Sequence, residues 1–292
     1  MFHLETIESF RGKGVNSFKV WRGFGEIHKS FIISWFIWLI GRKRFMTEKE
    51  VSIILPAYNE ASRIERCIHE VARAVHSFSG SYEIIVTEDG STDGSEKILA
   101  NLSQRNPKLL LLHSDTRLGK GKAIKKALAS AKGDIIVFMD VDLSTSLKYL
   151  QQIVKLSQKH RGVAIGSRHV NDSKVRRSFS RTLFSLSYNL FVRLLFRDGV
   201  HDHQCGFKAM SREVAAVVLN KTASDGFFFD TEMILWCKKL GFPVIEVGVE
   251  WTEISGKGAT AVRLVYDAVM LGLELLSFRL NTRNLNLNYS VF

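Results

Sequence analysis

Short runs of β-branched residues alternate with longer helical patterns between residues 51 and 139, and this alternation constrains the fold more than any other feature. The strand candidates begin 25 to 32 residues apart, at residues 51–55, 83–87, 108–112 and 135–139. Helical patterns fill the intervals, at residues 60–78, 95–105 and 119–132. Strands that are joined through helices pair in parallel, so the pattern predicts an α/β fold with a doubly wound, mostly parallel sheet.

Polar residues follow three of these predicted strands at the point where each strand ends. They are Pro56, Tyr58 and Glu60, then residues 88–94, then Asp140 and Asp142. Ligands of such sheets bind beyond the carboxyl ends of the strands, so we expect these side chains to converge on one crevice. Two carboxylates there suit a hard divalent cation that also binds diphosphate oxygens. Solvated turn aspartates would give the same string, so the pair alone leaves both interpretations open.

Composition and charge restrict the class of function. The 292 residues include 41 Lys and Arg against 29 Asp and Glu, a net charge of +12. An anionic partner is therefore expected, whether nucleic acid, lipid headgroups or a phosphorylated substrate. Cys67, Cys205 and Cys237 are far apart and form no Cys-x-x-Cys pair, which excludes a disulfide-stapled scaffold and a zinc knuckle.

Two apolar segments with basic neighbours point to a membrane surface. The run at residues 31–40 is followed by a basic cluster, and it is shorter than the ~20 apolar residues of a spanning helix. We expect it to lie among lipid headgroups, or else to pack on its own domain or on a second subunit. Residues 178–196 are apolar around most of a helix, so this helix is expected to be either fully enclosed or partly in lipid, and its basic neighbours favour an interfacial position beside an acceptor groove. Residues 259–280 predict another amphipathic helix. The expected division is a membrane-associating segment at 1–46, a central domain at 47–255, and a C-terminal amphipathic helix and tail at 256–292.

The motifs resemble those of a known enzyme family in both order and spacing. The first half reads Leu-Pro-Ala-Tyr-Asn-Glu at 55–60, Glu-Asp-Gly-Ser-Thr-Asp-Gly at 88–94 and Asp-Val-Asp at 140–142. The second half reads Gly-Ser-Arg at 166–168, Gln-Cys-Gly-Phe-Lys at 204–208, Phe-Asp-Thr-Glu at 229–232 and Trp-Thr-Glu-Ile at 251–254. Together they resemble the inverting family-2 glycosyltransferases of the GT-A fold, and among these the polyprenyl-phosphate sugar synthases of the dolichyl-phosphate glucosyltransferase branch. The resemblance covers about residues 50–280, so the central domain is expected to be a GT-A catalytic domain.

The resemblance implies a role for each matching residue. The donor nucleotide is expected to contact Pro56, Tyr58, Glu60, Thr87, Asp89 and Lys120. Asp140 and Asp142 are expected to hold Mg²⁺ or Mn²⁺ on the donor diphosphate, and to act in catalysis together with Arg168. The acceptor and the sugar are expected to contact Arg181, Lys208, Glu232, Trp251 and Lys257. A solvated loop lysine is the alternative for Lys120, and a buried ion pair is the alternative for Glu232 and for Asp230. Ser144 stands where mannosyl relatives often carry a glutamine ligand, which favours the glucosyl branch.

The implied reaction moves a hexose, glucose from UDP-glucose, onto a polyprenyl phosphate such as dolichyl phosphate. It would occur on the cytoplasmic face of a membrane, the plasma membrane of a prokaryote or the endoplasmic reticulum of a eukaryote, with no nucleic acid partner. A phosphate monoester is largely dianionic at pH 7, so such a site needs charge neutralisation rather than a strong base. Two alternatives stay open: a related transferase with another donor, such as GDP-mannose, or another lipid acceptor, and a basic RNA-binding protein. A homo-oligomer is compatible with the enzyme.

Overall fold

The structure is a computed structural model that describes residues 49–254 and 264–282. Its strands in chain order are β1 (Lys49–Ala57), β2 (Tyr82–Asp89), β3 (Leu109–Ser114), β4 (Gly133–Met139), β5 (Val163–Ser167), β6 (Lys174–Arg176), β7 (Phe207–Ser211), β8 (Val244–Gly248) and β9 (Glu250–Thr252). Seven of them form one sheet in the order β3-β2-β1-β4-β7-β5-β8, and β6 pairs with β9 in a small parallel ribbon. The four predicted strands are therefore confirmed as β1 to β4, with bounds that differ by at most two residues.

Helices cover both faces of the large sheet. They are α1 (Ile64–His76), α2 (Ser95–Arg105), α3 (Lys120–Ser130), α4 (Leu150–His160), α5 (Phe179–Phe196), α6 (Arg212–Leu219), α7 (Phe229–Lys239) and α8 (Leu264–Thr282). The first helix begins four residues later than the pattern predicts. Asn59 has a φ of 56°, in the left-handed region, so the chain turns at this point before the helix starts at Ile64.

The direction of β7 brings a second segment to the ligand-binding edge of the sheet. This strand runs antiparallel to both β4 and β5, whereas every other pair in the large sheet is parallel. The amino end of β7 therefore lies beside the carboxyl end of β4. Met139 pairs with Phe207, so the residues just beyond this pair, Asp140 and Gly206, are neighbours. A mostly parallel sheet, as the sequence predicts, thus carries one reversed strand that contributes to the same edge.

The core occupies both faces of the large sheet, which explains why its central strands are apolar at almost every position. Ile53 and Leu55 of β1 belong to the cluster with α1, α2 and α4, and Ile54 belongs to the cluster with α3, α6, α7 and α8. All three side chains are fully buried. This packing fixes the strand ends at the edge where the polar segments meet.

Helix α5 exposes much of its apolar surface. Asn189 and Val192 are its buried residues, whereas Phe179 is 83% exposed and Leu194 is 69% exposed. The other exposed apolar residues of α5 are Leu183, Phe184, Leu186, Leu190 and Phe191. Helix α8 adds exposed Val269, Met270, Leu273, Leu276 and Leu280. Among the described residues, no helix combines the length and apolar character that crossing a bilayer requires. The predicted membrane-associating segment at 1–46 lies outside the described residues.

Candidate active site

A cleft of about 610 Å³ opens at the carboxyl ends of β1, β2 and β4. The residues that the sequence predicts to function there and that line the cleft are Pro56, Tyr58, Glu60, Asp89, Lys120, Asp140, Asp142, Arg181 and Trp251. Residues from α7 and from the ribbon strand β9 complete the lining. The parallel-sheet rule and the resemblance therefore lead to the same place in the fold.

Lys120 and Asp140 form an ion pair on the floor of the cleft. The ammonium Nζ of Lys120 lies 2.9 Å from Oδ1 of Asp140 and 2.9 Å from Oδ2 of Asp230. Burial alone would lower the pKa of Lys120, but the two carboxylates outweigh burial and raise this pKa above its ordinary value. Desolvation raises the pKa of Asp140 despite the opposing charge of Lys120, and the nearby Asp142 and Asp230 raise it further.

Gly206 leaves the space that the Asp140 carboxylate occupies. A Cβ on Gly206 would lie 1.9 Å from Oδ2 of Asp140. No other amino acid fits at this position without displacing the carboxylate. The glycine of the Gln-Cys-Gly-Phe-Lys motif is thus explained by its contact with Asp140, across the β4–β7 pair.

Asp142 is oriented by the residue two positions further on. Its Oδ1 accepts the backbone N–H of Ser144 at 2.9 Å, and its Oδ2 accepts the hydroxyl of Ser144 at 2.6 Å. Each oxygen retains a lone pair for a further partner. Ser144 therefore holds Asp142 in place through two hydrogen bonds.

The carboxylates of the cleft fit a divalent cation. No group of three or more His, Cys, Asp and Glu side chains suited to a metal occurs in the part of the chain that the structure describes. Mg²⁺ is commonly bound by one or two carboxylates together with substrate phosphates and water, which matches the donor set of Asp140 and Asp142. The pKa of Glu60 is raised to about 7 by burial, against the charge of Arg63, and the charges of Asp142, Asp93 and Asp140 raise it further. The charges of Asp140, Asp142 and Asp93 thus repel a charge on Glu60, and a bound cation would relieve this repulsion.

Tyr58 and Arg117 form a planar surface on the same lining. The guanidinium of Arg117 lies 4.0 Å from the ring centroid of Tyr58. Asp89 fixes the loop that carries Arg117, because its carboxylate accepts the N–H groups of Leu118 at 2.6 Å and of Gly119 at 3.0 Å. The sequence reasoning missed Arg117, and the position of its loop after β3, beside Asp89, was the signal available.

Several predicted residues lie behind the cleft instead of on its lining. Arg168 donates to Asp202 from Nε at 2.7 Å and from Nη2 at 2.8 Å. Lys208 is fully buried and pairs with Asp230, so the buried-pair alternative describes Asp230. Glu232 is also buried, where it accepts the N–H groups of Ala223 and Ser224, and no lysine or arginine of the described residues forms an ion pair with it.

Thr87, a further predicted residue, does not appear on the lining of the cleft. Thr87 is buried beside Pro56 in the register of β1 and β2. Lys257 lies outside the described residues. The contacts predicted for these side chains therefore stay predictions.

Two arginines lie close to the Trp251 ring, and Arg181 lines the same cleft. The guanidinium carbons of Arg168 and Arg177 lie 5.6 Å and 5.3 Å from the Trp251 ring centroid. Nη1 of Arg181 lies 3.1 Å from Oε1 of Glu253. The β6–β9 ribbon creates this arrangement, because it pairs the residues just before Arg177 with the strand that carries Trp251.

Arg177 lacks partners that a buried guanidinium normally has. Its Nε and Nη1 atoms are buried and have no hydrogen-bond partner among the described residues. Burial lowers the pKa of Arg177 to about 10, and the charge of Arg168 contributes to this shift. Unsatisfied cationic donors beside a cleft favour an anionic ligand. The sequence reasoning did not assign Arg177 a role in the site, although the Arg-Arg pair immediately before α5 was visible.

Comparisons with known proteins agree with this geometry. Residues 52–219 match the family described as Glycosyl transferase family 2. The dolichyl-phosphate beta-glucosyltransferase of Dictyostelium discoideum is 30% identical over 82% of this chain and 78% of that protein. Its Drosophila melanogaster counterpart is 33% identical over 72% of this chain and 69% of that protein. Glycosyltransferase AglD of Haloferax volcanii is 38% identical over 78% of this chain, which spans 36% of that longer protein.

Solved structures show the same fold. Glucosyl-3-phosphoglycerate synthase from Mycobacterium tuberculosis, in complex with UDP, aligns with a TM-score of 0.60 at 22% identity, over 79% of this chain and 80% of that chain. A second structure of that enzyme contains Mn²⁺, UDP-glucose and phosphoglyceric acid, with a TM-score of 0.59. The likeness confirms the expected GT-A fold. The chain is therefore an enzyme of the glycosyltransferase class and belongs to glycosyl transferase family 2.

Proposed function

We propose that this enzyme transfers glucose from UDP-glucose to dolichyl phosphate or a similar polyprenyl phosphate, with inversion at the anomeric carbon. The observation that carries the proposal is a single cleft with a carboxylate pair on its floor and unsatisfied arginine donors beside Trp251. Such a cleft suits two phosphate-bearing substrates with a sugar between them. The dolichyl-phosphate beta-glucosyltransferases that match most of the chain support this choice of donor sugar and acceptor.

The donor nucleotide would occupy the side of the cleft formed by β1 and β2. The uracil base would pack against Tyr58 and Arg117, which offer a flat aromatic and guanidinium surface. Glu60 would accept hydrogen bonds from the ribose hydroxyls. Asp89 contributes by holding the loop of Arg117 in position.

The donor diphosphate would lie above Asp140 and Asp142, which would hold Mg²⁺ or Mn²⁺. When bound, the ion neutralises the diphosphate and stabilises the charge that develops on the departing UDP. The ammonium of Lys120, beside Asp140, would add a further positive charge next to the diphosphate. Ser144 keeps the Asp142 carboxylate in one orientation throughout.

The acceptor phosphate would bind to Arg177 and Arg181. One of its oxygens attacks the anomeric carbon from the face opposite UDP, so that a new C–O bond forms while the bond to UDP breaks and its electron pair leaves with UDP. The attacking oxygen is already charged at pH 7, so the residues of the site position the substrates and neutralise charge, and no general base is required. Trp251, which lines the cleft beside Arg177, would lie between the two substrates.

The lipid tail of the acceptor accounts for the exposed apolar side chains of α5 and α8. We propose that these helices contact the membrane surface, so that the enzyme associates peripherally with the cytoplasmic face of a plasma membrane or an endoplasmic reticulum. Arg176 and Arg197 flank α5, Arg193 lies in its last turn, and all three suit anionic headgroups. A phosphate bound near Arg177, just before α5, would then have its chain directed along this apolar surface.

A donor panel tests the proposal. Membranes that contain the overexpressed enzyme are incubated with dolichyl phosphate and labelled UDP-glucose, UDP-galactose or GDP-mannose, and the lipid fraction is extracted. We expect label in lipid from UDP-glucose, and we expect it to be lost with a chelator or in Asp142→Ala. Asp134→Ala is the matched control, because Asp134 is exposed at the opposite end of the same strand, β4. Lipid label from GDP-mannose alone would contradict the donor, and label only in protein or polymer would contradict the acceptor.

A further inference from the structure

We propose that the ammonium of Lys120 takes the place of the divalent ion in the donor-free enzyme, where it pairs with Asp140. When the ion binds, the ammonium moves from Asp140 to the donor diphosphate. Buried Asp230 remains its partner in both states. This inference rests on the proposed metal-dependent donor site. It adds a competition between a side chain of the protein and the metal for the same carboxylate. It also assigns a positioning role to Asp230.

The two partners of Lys120 differ in their freedom to move. The side chain of Asp230 is 1% exposed, and its second oxygen pairs with Lys208, which is itself fully buried and also donates to the carbonyl of Cys205. The side chain of Asp140, in contrast, is 49% exposed at the cleft. Asp230 is therefore held in position, whereas Asp140 can exchange its contact with Lys120 for a contact with a bound ligand.

The backbone of Lys120 is fixed as well. The N–H of Gly121 donates to the carbonyl of Asp225 at 2.8 Å. A Cβ at Gly119 would lie 2.4 Å from that same carbonyl oxygen, and a Cβ at Gly121 would lie 2.6 Å from the carbonyl oxygen of Ser224. The start of α3 thus packs directly against the backbone at residues 224–225. A change of partner by Lys120 must come from rotation of its four-carbon side chain alone.

Charge balance gives the direction of the exchange. Asp140 lies close to Asp142, and without a nearby cation the two carboxylates would repel each other. Lys120 supplies that cation in the donor-free enzyme. A divalent ion that binds Asp140 repels the ammonium from this oxygen, and a diphosphate in the cleft offers it a new anionic partner. The ion and the nucleotide should therefore bind cooperatively, and the ion alone should bind weakly.

Manganese binding measured without turnover tests this exchange. Free Mn²⁺ is titrated by electron paramagnetic resonance against the full chain, with and without UDP. We expect Lys120→Met to bind Mn²⁺ at least about tenfold more tightly than the wild type in the absence of UDP, since the competing cation is gone. With Mn²⁺ present, the same variant should bind UDP more weakly. Lys120→Arg, which keeps the charge, should retain weak binding of Mn²⁺ alone.

Lys122→Met is the matched control, because Lys122 is exposed on the same turn of α3. It should behave as the wild type in both titrations. Lys120→Gln keeps a hydrogen-bond donor for Asp230 and replaces Lys120→Met if thermal melting shows that the latter does not fold. If both neutral variants bind Mn²⁺ no more tightly than the wild type, while UDP still promotes Mn²⁺ binding, the exchange is wrong and the donor site stands. If the wild type binds no Mn²⁺ even with UDP, the donor site itself is wrong.

Discussion

Replacement of Gly206 by alanine tests how strictly the position of the Asp140 carboxylate controls turnover. The new Cβ would lie 1.9 Å from Oδ2 and 2.4 Å from Cγ of Asp140, whereas real Cβ atoms essentially never approach other heavy atoms closer than 3.0 Å. The carboxylate must therefore retreat by about 1 Å, and a displacement of about 1 Å in an active site can lower turnover by ~10²-fold. Asp140 is half exposed, so it can move into the cleft without disrupting the core. We expect Gly206→Ala to fold normally, to lose about two orders of magnitude in turnover, and to require more divalent metal.

The assay is the initial rate of lipid-linked glucose formation as a function of Mn²⁺ concentration, with thermal melting as the measure of folding. Gly226→Ala is the control, because Gly226 lines the same cleft and a Cβ there would meet no atom within 4 Å. The control should retain both the turnover and the metal requirement of the wild type. Wild-type turnover and metal dependence in Gly206→Ala would refute the reasoning, since the carboxylate would then tolerate displacement.

Three further predictions concern stability and membrane contact. Asp202→Asn leaves Arg168 buried without its ionic partner and should lower the free energy of unfolding by ~3 to 5 kcal/mol at pH 7, measured by urea denaturation. Burial disfavours the charged form of Asp202, but Arg168 outweighs burial and lowers the pKa of this carboxyl. The stabilisation by Asp202 is therefore complete above its unfolded pKa of about 4 and is lost as the pH falls further. The difference in free energy of unfolding between wild type and Asp202→Asn should become smaller in that acidic range. Glu60 has a pKa raised to about 7, chiefly by burial, so the metal-free wild type should lose stability as the pH rises from 4.5 to 7, and Glu60→Gln should lose less over the same range. An equal fall in melting temperature with pH for both proteins would contradict this shift. Leu194→Asp, on the exposed face of α5, should reduce co-sedimentation with anionic vesicles without lowering the melting temperature. Val217→Asp, at an exposed position of α6, should bind the vesicles as the wild type does.

Much of the fold could be predicted from the sequence because it depends on local periodicity and on a general rule of topology. Four apolar strands separated by helical patterns specify a parallel sheet, and a parallel sheet specifies the edge at which ligands bind. Asp140 and Asp142 directly follow β4, so their place at that edge follows from strand order alone. The reversed direction of β7 was not visible in the pattern, because one apolar strand reads the same in either direction.

The arginines show why the rest of the site could not be predicted. Arg168 follows β5 closely, but its side chain turns inward to Asp202, which lies 34 positions away along the chain. No local pattern specifies such a partner. Arg177, in contrast, reaches the Trp251 ring because the ribbon strands β6 and β9 pair, and strands of three residues are too short to give a periodic signal. Sequence position thus located the residues near the edge, while distant partners decided which side chains face the cleft.

The most direct test of the central claim is a crystal structure with UDP-glucose and Mn²⁺, in which anomalous scattering locates the metal. The account predicts a manganese peak bound by Asp140 and Asp142 and by the donor diphosphate, with the uracil against Tyr58 and the ammonium of Lys120 moved from Asp140 to a phosphate oxygen. A donor bound outside this cleft, or a manganese peak away from both aspartates, would contradict it.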